Sequence, residues 1–341
     1  MKRPLAEQVL VVSGASSGIG RAVARAAGAR GARVVVAARN AEALERAVGE
    51  IEAAGGEGLA VPGEAASEAD AQSLCARAAE RFGRIDTFVD CVMVTVYAEV
   101  EQLELDELRR VLDVNFLGRA YAYRAALPHL KASAGTFIDV NSALAYRGIP
   151  LQAAYCASKA AARTYFESAR VELEKQRAGV DVCLVLPGGI NTPQFDRGRQ
   201  KLGEQPQPIP PIYQPELVAE AVLHCAERPE RELPVTWAAQ KLLWGQKLSP
   251  RAADRVLLRN GWKGQSTGEP KPVGSPDNLW ETIPGDPGAH GRFDHRAKAS
   301  TAWTDARLRL GKAGSVGVLA LSAGVGVIAG AIGYHGLTKR R

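Results

Sequence analysis

Over the first two thirds of the chain, apolar positions fall into blocks of two kinds. Short, mostly apolar runs at 8–12, 33–37, 58–61, 85–89, 136–140 and 180–186 have the length of strands buried in a sheet. Between them lie longer stretches, reaching about residue 30 and then covering 41–54, 68–82, 104–130 and 152–176, which read as helices. A last helix over 213–228 opens near Pro215, and 232–236 ends the series as a strand. Such alternation predicts an α/β fold: a Rossmann-type doubly wound parallel sheet with helices on both faces, followed by a helical and irregular C-terminal extension.

The pattern changes after residue 236. Residues 238–260 read as amphipathic helix, with Leu242, Leu243, Leu248, Val256 and Leu257 available for an apolar face that would cover the site, pack on the domain or rest on a membrane surface. Glycine and proline then crowd 264–291, the composition of an irregular linker. The stretch 315–334 carries no charge, approaches the ~20 residues that cross a bilayer, and is followed by Lys339, Arg340 and Arg341. It is a candidate tail anchor, with Gly326 and Gly330 spaced for close helix contact; a buried or dimer-packing helix is the other reading. The expected division is a nucleotide-binding domain over 1–236, an extension over 237–312 and a candidate transmembrane helix over 313–337.

Composition narrows the classes. With 46% hydrophobic and 23% charged residues in 341, the chain can bury a large core and is not a disordered polymer. Its net charge of +6 is spread among acids, without a nucleic-acid signature. The five cysteines form no C-x-x-C pair and no metal-like spacing with histidine, so they read as small buried residues in a reducing compartment and no metal is expected. The first apolar run is short and leads straight into glycines, unlike a secretory signal, which predicts a cytoplasmic catalytic domain.

That glycine segment carries the first chemistry. Ser13-Gly14-Ala15-Ser16-Ser17-Gly18-Ile19-Gly20 follows a strand and opens a helix, the context in which glycines let the backbone approach a pyrophosphate and the helix N-terminus binds it. The second strand ends in Ala38 and Arg39, with no acid to hold a ribose 2′-hydroxyl and a guanidinium placed for a 2′-phosphate, which points to NADP rather than NAD. Tyr155 and Lys159 stand four residues apart on one helix face, where an ammonium favours the phenolate and suits the pair to proton transfer.

Taken together, Gly14-x-x-x-Gly18-Ile19-Gly20, Asn115, Ser142, Tyr155-x-x-x-Lys159 and Pro187-Gly188 resemble, in this order, the short-chain dehydrogenase/reductase family over roughly residues 5 to 235. The resemblance implies hydride transfer between carbonyl and alcohol with an NADP-type cofactor. It further implies Tyr155 as acid/base, Lys159 lowering its pKa and holding the nicotinamide ribose, Ser142 on the substrate oxygen, and Asn115 positioning a water. Gly14, Ser16, Ser17, Gly18, Ile19, Gly20, Arg39, Pro187, Gly188, Ile190 and Thr192 would contact the cofactor. Glu64 stands where the family has an aspartate near the adenine, or is a solvated loop residue. A small carbonyl or alcohol substrate, lipophilic if the tail reaches a membrane, a mobile lid over about 195–211 and a homo-oligomer are expected. One departure is marked: Asp90-Cys91-Val92-Met93 replaces the usual Asn-Asn-Ala-Gly and puts bulk into the cofactor wall. If that wall failed, the chain would instead be a nucleotide-sensing or scaffold protein with weak or no turnover.

Overall fold

Seven short strands form the centre: β1 (Val9–Ser13), β2 (Arg33–Ala38), β3 (Glu57–Pro62), β4 (Thr87–Asp90), β5 (Thr136–Val140), β6 (Asp181–Leu186) and β7 (Glu232–Pro234). They lie in the order β7-β6-β5-β4-β1-β2-β3, with every pairing parallel. β1, β4 and β5 are buried along their whole length, which is why those runs show no polar face. The helices between them are α1 (Gly18–Gly28), α2 (Ala41–Ala53), α3 (Glu68–Phe82), α4 (Leu105–Leu112), α5 (Gly118–Ser133), α6 (Ala153–Gln176), α7 (Gln194–Arg197) and α8 (Pro215–Glu227). This computed structural model describes residues 2–309, with Met1–Ala299 as one compact unit and Ser300–Arg341 as a second. In the second unit 302–309 is helical, and the Thr301 hydroxyl caps it by accepting from the Thr304 N–H at 2.9 Å.

The single helix expected over 104–130 is two helices joined by a π turn at Asp113–Leu117. Close packing explains the break. A Cβ on Gly118 would sit 2.7 Å from the Ala65 carbonyl oxygen, and the Asn115 side chain in the turn is committed to the backbone of Val94. One turn further on, Arg119 is 1% exposed; its Nε donates to Asp139 Oδ1 at 2.7 Å and its Nη1 to the Asn115 carbonyl at 2.6 Å. This buried ion pair ties α5 to the middle of the sheet.

The extension does not form one apolar face. In α9 (Trp237–Leu248) Ala239 and Leu243 enter the main core, but Leu248 is 84% exposed and Val256 58% exposed. Pro250 starts a separate helix, α10 (Pro250–Asn260), and the turn at Ser249 takes the two helices out of phase. The stretch expected to be a linker is instead docked: Ser266–Pro270 pairs antiparallel with Glu204–Pro206, in the segment expected to be a mobile lid. The compact unit thus continues to Ala299, past the boundary expected at 236.

The expectation of a membrane protein with a transmembrane helix is corrected. Among the described residues no helix is long and apolar enough to cross a membrane, and the 313–337 stretch lies outside them.

Removing Arg119 would leave Asp139 buried and unpaired. Arg119→Ala is expected to lower the unfolding free energy by about 3–5 kcal/mol in a urea titration, with part recovered when Asp139→Asn is added. A loss below about 1 kcal/mol would show that the pair is not a structural tie.

Candidate active site

The strand order reverses on either side of β1, and the carboxyl ends of the strands open a crevice there. Ser13 is in register with Ala37 on one side and Asp90 on the other, so three chain ends converge: the glycine turn, Ala38-Arg39 and the segment after β4. Gly14 has φ of +79°, and a Cβ there would lie 2.8 Å from Cys91 C and Val92 N. At Gly20 a Cβ would meet the Gly14 carbonyl oxygen at 2.3 Å. The altered wall therefore keeps a close backbone approach, with Gly14 supplying the space. It is also hydrogen-bonded: Cys91 N–H donates to the Ser13 carbonyl and Val92 N–H to Asp90 Oδ1, both at 2.9 Å.

The cleft contains about 1410 Å³ of open space, part of it continuous with solvent, and is lined by Gly14, Ser16, Ser17, Gly18, Ile19, Gly20, Arg39, Glu64 and Thr192. Beside it a smaller hollow, about 470 Å³, is lined by Ser142, Tyr155, Lys159, Pro187, Gly188 and Ile190, with Ile19, Cys91, Met93, Thr192 and Gln194 common to both. Narrow turns, backbone donors at a helix N-terminus and an arginine at the end of β2 fit a dinucleotide lying along this edge.

Tyr155 and Lys159 lie in the first turns of α6, and Ser142 ends the loop after β5. The Ser142 side chain lines the same hollow as the Tyr155 phenol and accepts from Leu144 N–H at 3.0 Å, which fixes its direction. Burial pushes the phenol up to about 12, against the pull of the nearby Ser142 hydroxyl and of Arg119. Lys159 Nζ lies 5.6 Å from the Tyr155 ring centre and donates to the Val140 carbonyl at 2.9 Å. Burial first, and then the charge of Arg119, draw the Lys159 ammonium below its ordinary range.

Asn115 lines neither hollow. It is fully buried, its Oδ1 accepting from Val94 N–H at 2.8 Å and its Nδ2 donating to the Val94 carbonyl at 2.9 Å and to Ser158 Oγ at 3.1 Å. Its main-chain carbonyl is held by Arg119. Behind the site Asp139 Oδ2 accepts from Asn141 Nδ2 at 2.7 Å, and Asn141 Oδ1 accepts from the N–H of Ser142 at 2.8 Å. Arg119, Asp139 and Asn141 were not among the residues singled out from the sequence. An aspartate in the apolar run 136–140 was the available signal, since a buried carboxylate requires a partner.

At the other end of the cleft, Glu64 is engaged by its neighbours. Arg110 Nη2 donates to Glu64 Oε2 at 2.7 Å, the Ala66 N–H donates to Oε1 at 3.1 Å, and Arg39 lies 3.7 Å away. Burial alone would raise the Glu64 carboxyl, but these partners bring it below its ordinary value. The extension also reaches the cleft, where Asn278, Thr282, Ile283 and Pro287 complete its lining.

Comparison with known proteins agrees with this geometry. The profile of the short chain dehydrogenase family matches residues 8–203. The chain is 36% identical over 271 residues to the uncharacterized oxidoreductase YxnA of Bacillus subtilis, covering 79% of this chain and 76% of that protein. It is 33% identical over 192 residues to a 3beta-hydroxysteroid dehydrogenase of Mediterraneibacter gnavus, covering 56% and 69%. Among solved structures, the alcohol dehydrogenase of the archaeon Thermococcus sibiricus complexed with 5-hydroxy-NADP superposes with a TM-score of 0.57 at 27% identity, covering 63% of this chain and 88% of that one. With its parallel sheet, glycine-turn cleft and these matches, the chain belongs to the short-chain dehydrogenase/reductase family, oxidoreductases that interconvert carbonyl and alcohol groups with a nucleotide cofactor.

Proposed function

We propose that the enzyme is an NADP(H)-preferring carbonyl reductase or alcohol dehydrogenase with Tyr155 as its acid/base. The observation that carries this reading is that Ser142 and Tyr155 line one hollow next to the glycine turn. The nicotinamide, when bound, supplies or accepts the hydride. Around it the chain's own groups move and hold a proton. Ser142, already directed by Leu144, presents its hydroxyl to the substrate oxygen, and Tyr155 donates its proton to that oxygen in reduction or removes one in oxidation. Lys159, anchored on the Val140 carbonyl, holds the ribose side of the site, and Asn115 acts from behind by fixing the backbone at Val94.

Arg39 supports the cofactor preference. It follows β2, which ends in Ala38 rather than an acid, and lines the cleft with Glu64 3.7 Å away and already held by Arg110, so a 2′-phosphate would meet a forked cation there. The co-crystallised 5-hydroxy-NADP of the archaeal enzyme points the same way. For the substrate, the hydroxysteroid dehydrogenase among the relatives suggests a secondary alcohol or ketone on an apolar skeleton. The hollow beside Tyr155 mixes apolar Met93, Val140, Ile190 and Phe195 with polar Asn141, Ser142, Lys159 and Gln194.

Fluorescence titration tests the preference: NADPH should bind more tightly than NADH, and Arg39→Ala should reduce that difference by tenfold or more. Equal binding of both by the unaltered enzyme would refute it. Tyr155→Phe should abolish turnover of any ketone found in a screen and leave NADPH binding within about twofold; undiminished turnover would remove Tyr155 from the chemistry. Because the phenol is held up to about 12, it stays protonated at neutral pH. Reduction should be flat with pH from about 6 to 9, and oxidation, which needs the phenolate, should rise by about tenfold per pH unit over that range.

A further inference from the structure

The donors that a dinucleotide needs are already occupied by the chain's own extension. Arg39 Nη2 donates to the Asn278 carbonyl at 2.6 Å and its Nη1 to the Trp280 carbonyl at 2.8 Å. The N–H of Gly18, first residue of α1, donates to the Gly288 carbonyl at 3.0 Å. Between these points, Asn40 Nδ2 donates to the Gly285 carbonyl at 3.1 Å and Arg197 Nη1 to the Ile283 carbonyl at 3.2 Å. An oxygen acceptor thus sits both at the end of β2 and at the helix N-terminus, the two places where the fold binds phosphate.

The segment is anchored by buried side chains at its ends and held between them by polar contacts at the surface. Leu279 is 0% exposed and packs in a small core with Val94, Val96 and Val111, while Asp277 pairs with Arg199 at 2.8 Å. At the far end Phe293 is buried against Phe195, and its N–H donates to Asn191 Oδ1 at 3.0 Å. Between those anchors Trp280, Glu281, Thr282, Pro284 and Asp286 are exposed, and the carboxylate of Asp286 lies 3.4 Å from Arg21. A carbonyl and a phosphate oxygen cannot share one N–H, and charged oxygens make the stronger bond to a guanidinium.

We propose that residues 278–288 form a strap that occupies the cofactor cleft as an internal competitor, and that a phosphorylated dinucleotide binds by displacing it. The inference rests on the proposed dinucleotide site and goes beyond it. The strap holds the anion-binding donors satisfied while the site is free, and the cofactor's apparent affinity is the intrinsic one reduced by the fraction of molecules with the strap open. Both NADPH and NADH must clear the Gly288 carbonyl from the glycine turn. Weakening the strap therefore strengthens both, without altering their ratio.

The full-length protein is the material for the test. Leu279→Ala removes the buried anchor, and Asp277→Ala loosens the same end without opening the core. In equilibrium titrations, either folded variant should bind NADPH and NADH more tightly, by up to about tenfold if the strap is closed nine-tenths of the time in the unaltered protein. Unchanged or weaker binding of both would overturn the strap as a competitor, and would mean instead that it is a wall of the site. Hydrogen exchange on the unaltered protein gives a second readout that needs no variant. Adding NADP+ should speed exchange in peptides covering 278–290 and slow it over 14–20; slower exchange in both would overturn the proposal. Failure of the NADP preference would appear separately, as equal affinities of the two cofactors in the unaltered protein.

Discussion

Much of the site depends on one buried ion pair, Arg119 with Asp139. Placing a guanidinium and a carboxylate in the centre of an α/β domain is costly unless each finds all its partners. Here Arg119 spans Asp139, the Asn115 carbonyl and, at 3.4 Å, the Val140 carbonyl, while Asp139 also takes Asn141. The same Val140 carbonyl receives Lys159, and Asn141 orients the backbone of Ser142. The loop that carries Ser142 is thus held from behind by a buried network, of which Val140, Asn141 and Lys159 also line the smaller hollow. Asp90, 4.0 Å from Arg119 and pushed up by burial, extends it to the altered wall, so the departure from the usual Asn-Asn-Ala-Gly is accompanied by charges that reinforce the same region.

Much of the fold was legible because period and length survive in the sequence. Seven strands fell on or near the apolar runs, and the glycine turn could be placed by the strand before it and the helix after it. Ser142, Tyr155 and Lys159 were legible through their spacing, and the structure brings them to one hollow. What stayed hidden shares one physical cause. Arg119 and Asp139 are twenty positions apart and meet only because α5 folds onto β5, a contact with no periodic trace. The π turn that divides the long helix is set by Gly118 against Ala65, again a tertiary contact. Likewise the stretch around 264–291 has the composition of a linker, but its backbone carbonyls are fixed by Arg39, Asn40, Arg110 and Arg197, side chains far away in the sequence.

These arrangements change how the proton site should be regarded. Burial holds the Tyr155 phenol up, and Lys159 donates to the Val140 carbonyl beside it. The extension adds a second layer of control, since the segment that looks least structured in composition lies over the most chemically committed part of the molecule.

The central claim, that the cleft delivers a hydride from a nicotinamide to a carbonyl carbon, is tested most directly by isotope transfer. NADPH deuterated at C4 of the nicotinamide would be incubated with the enzyme and a panel of ketones that includes hydroxysteroid-type substrates, and the alcohols analysed by mass spectrometry. The account predicts one deuterium at the carbinol carbon of the product, from one face of the labelled cofactor only. An alcohol carrying solvent hydrogen at that carbon, or no reduced product from any ketone in a panel that related reductases consume, would contradict it.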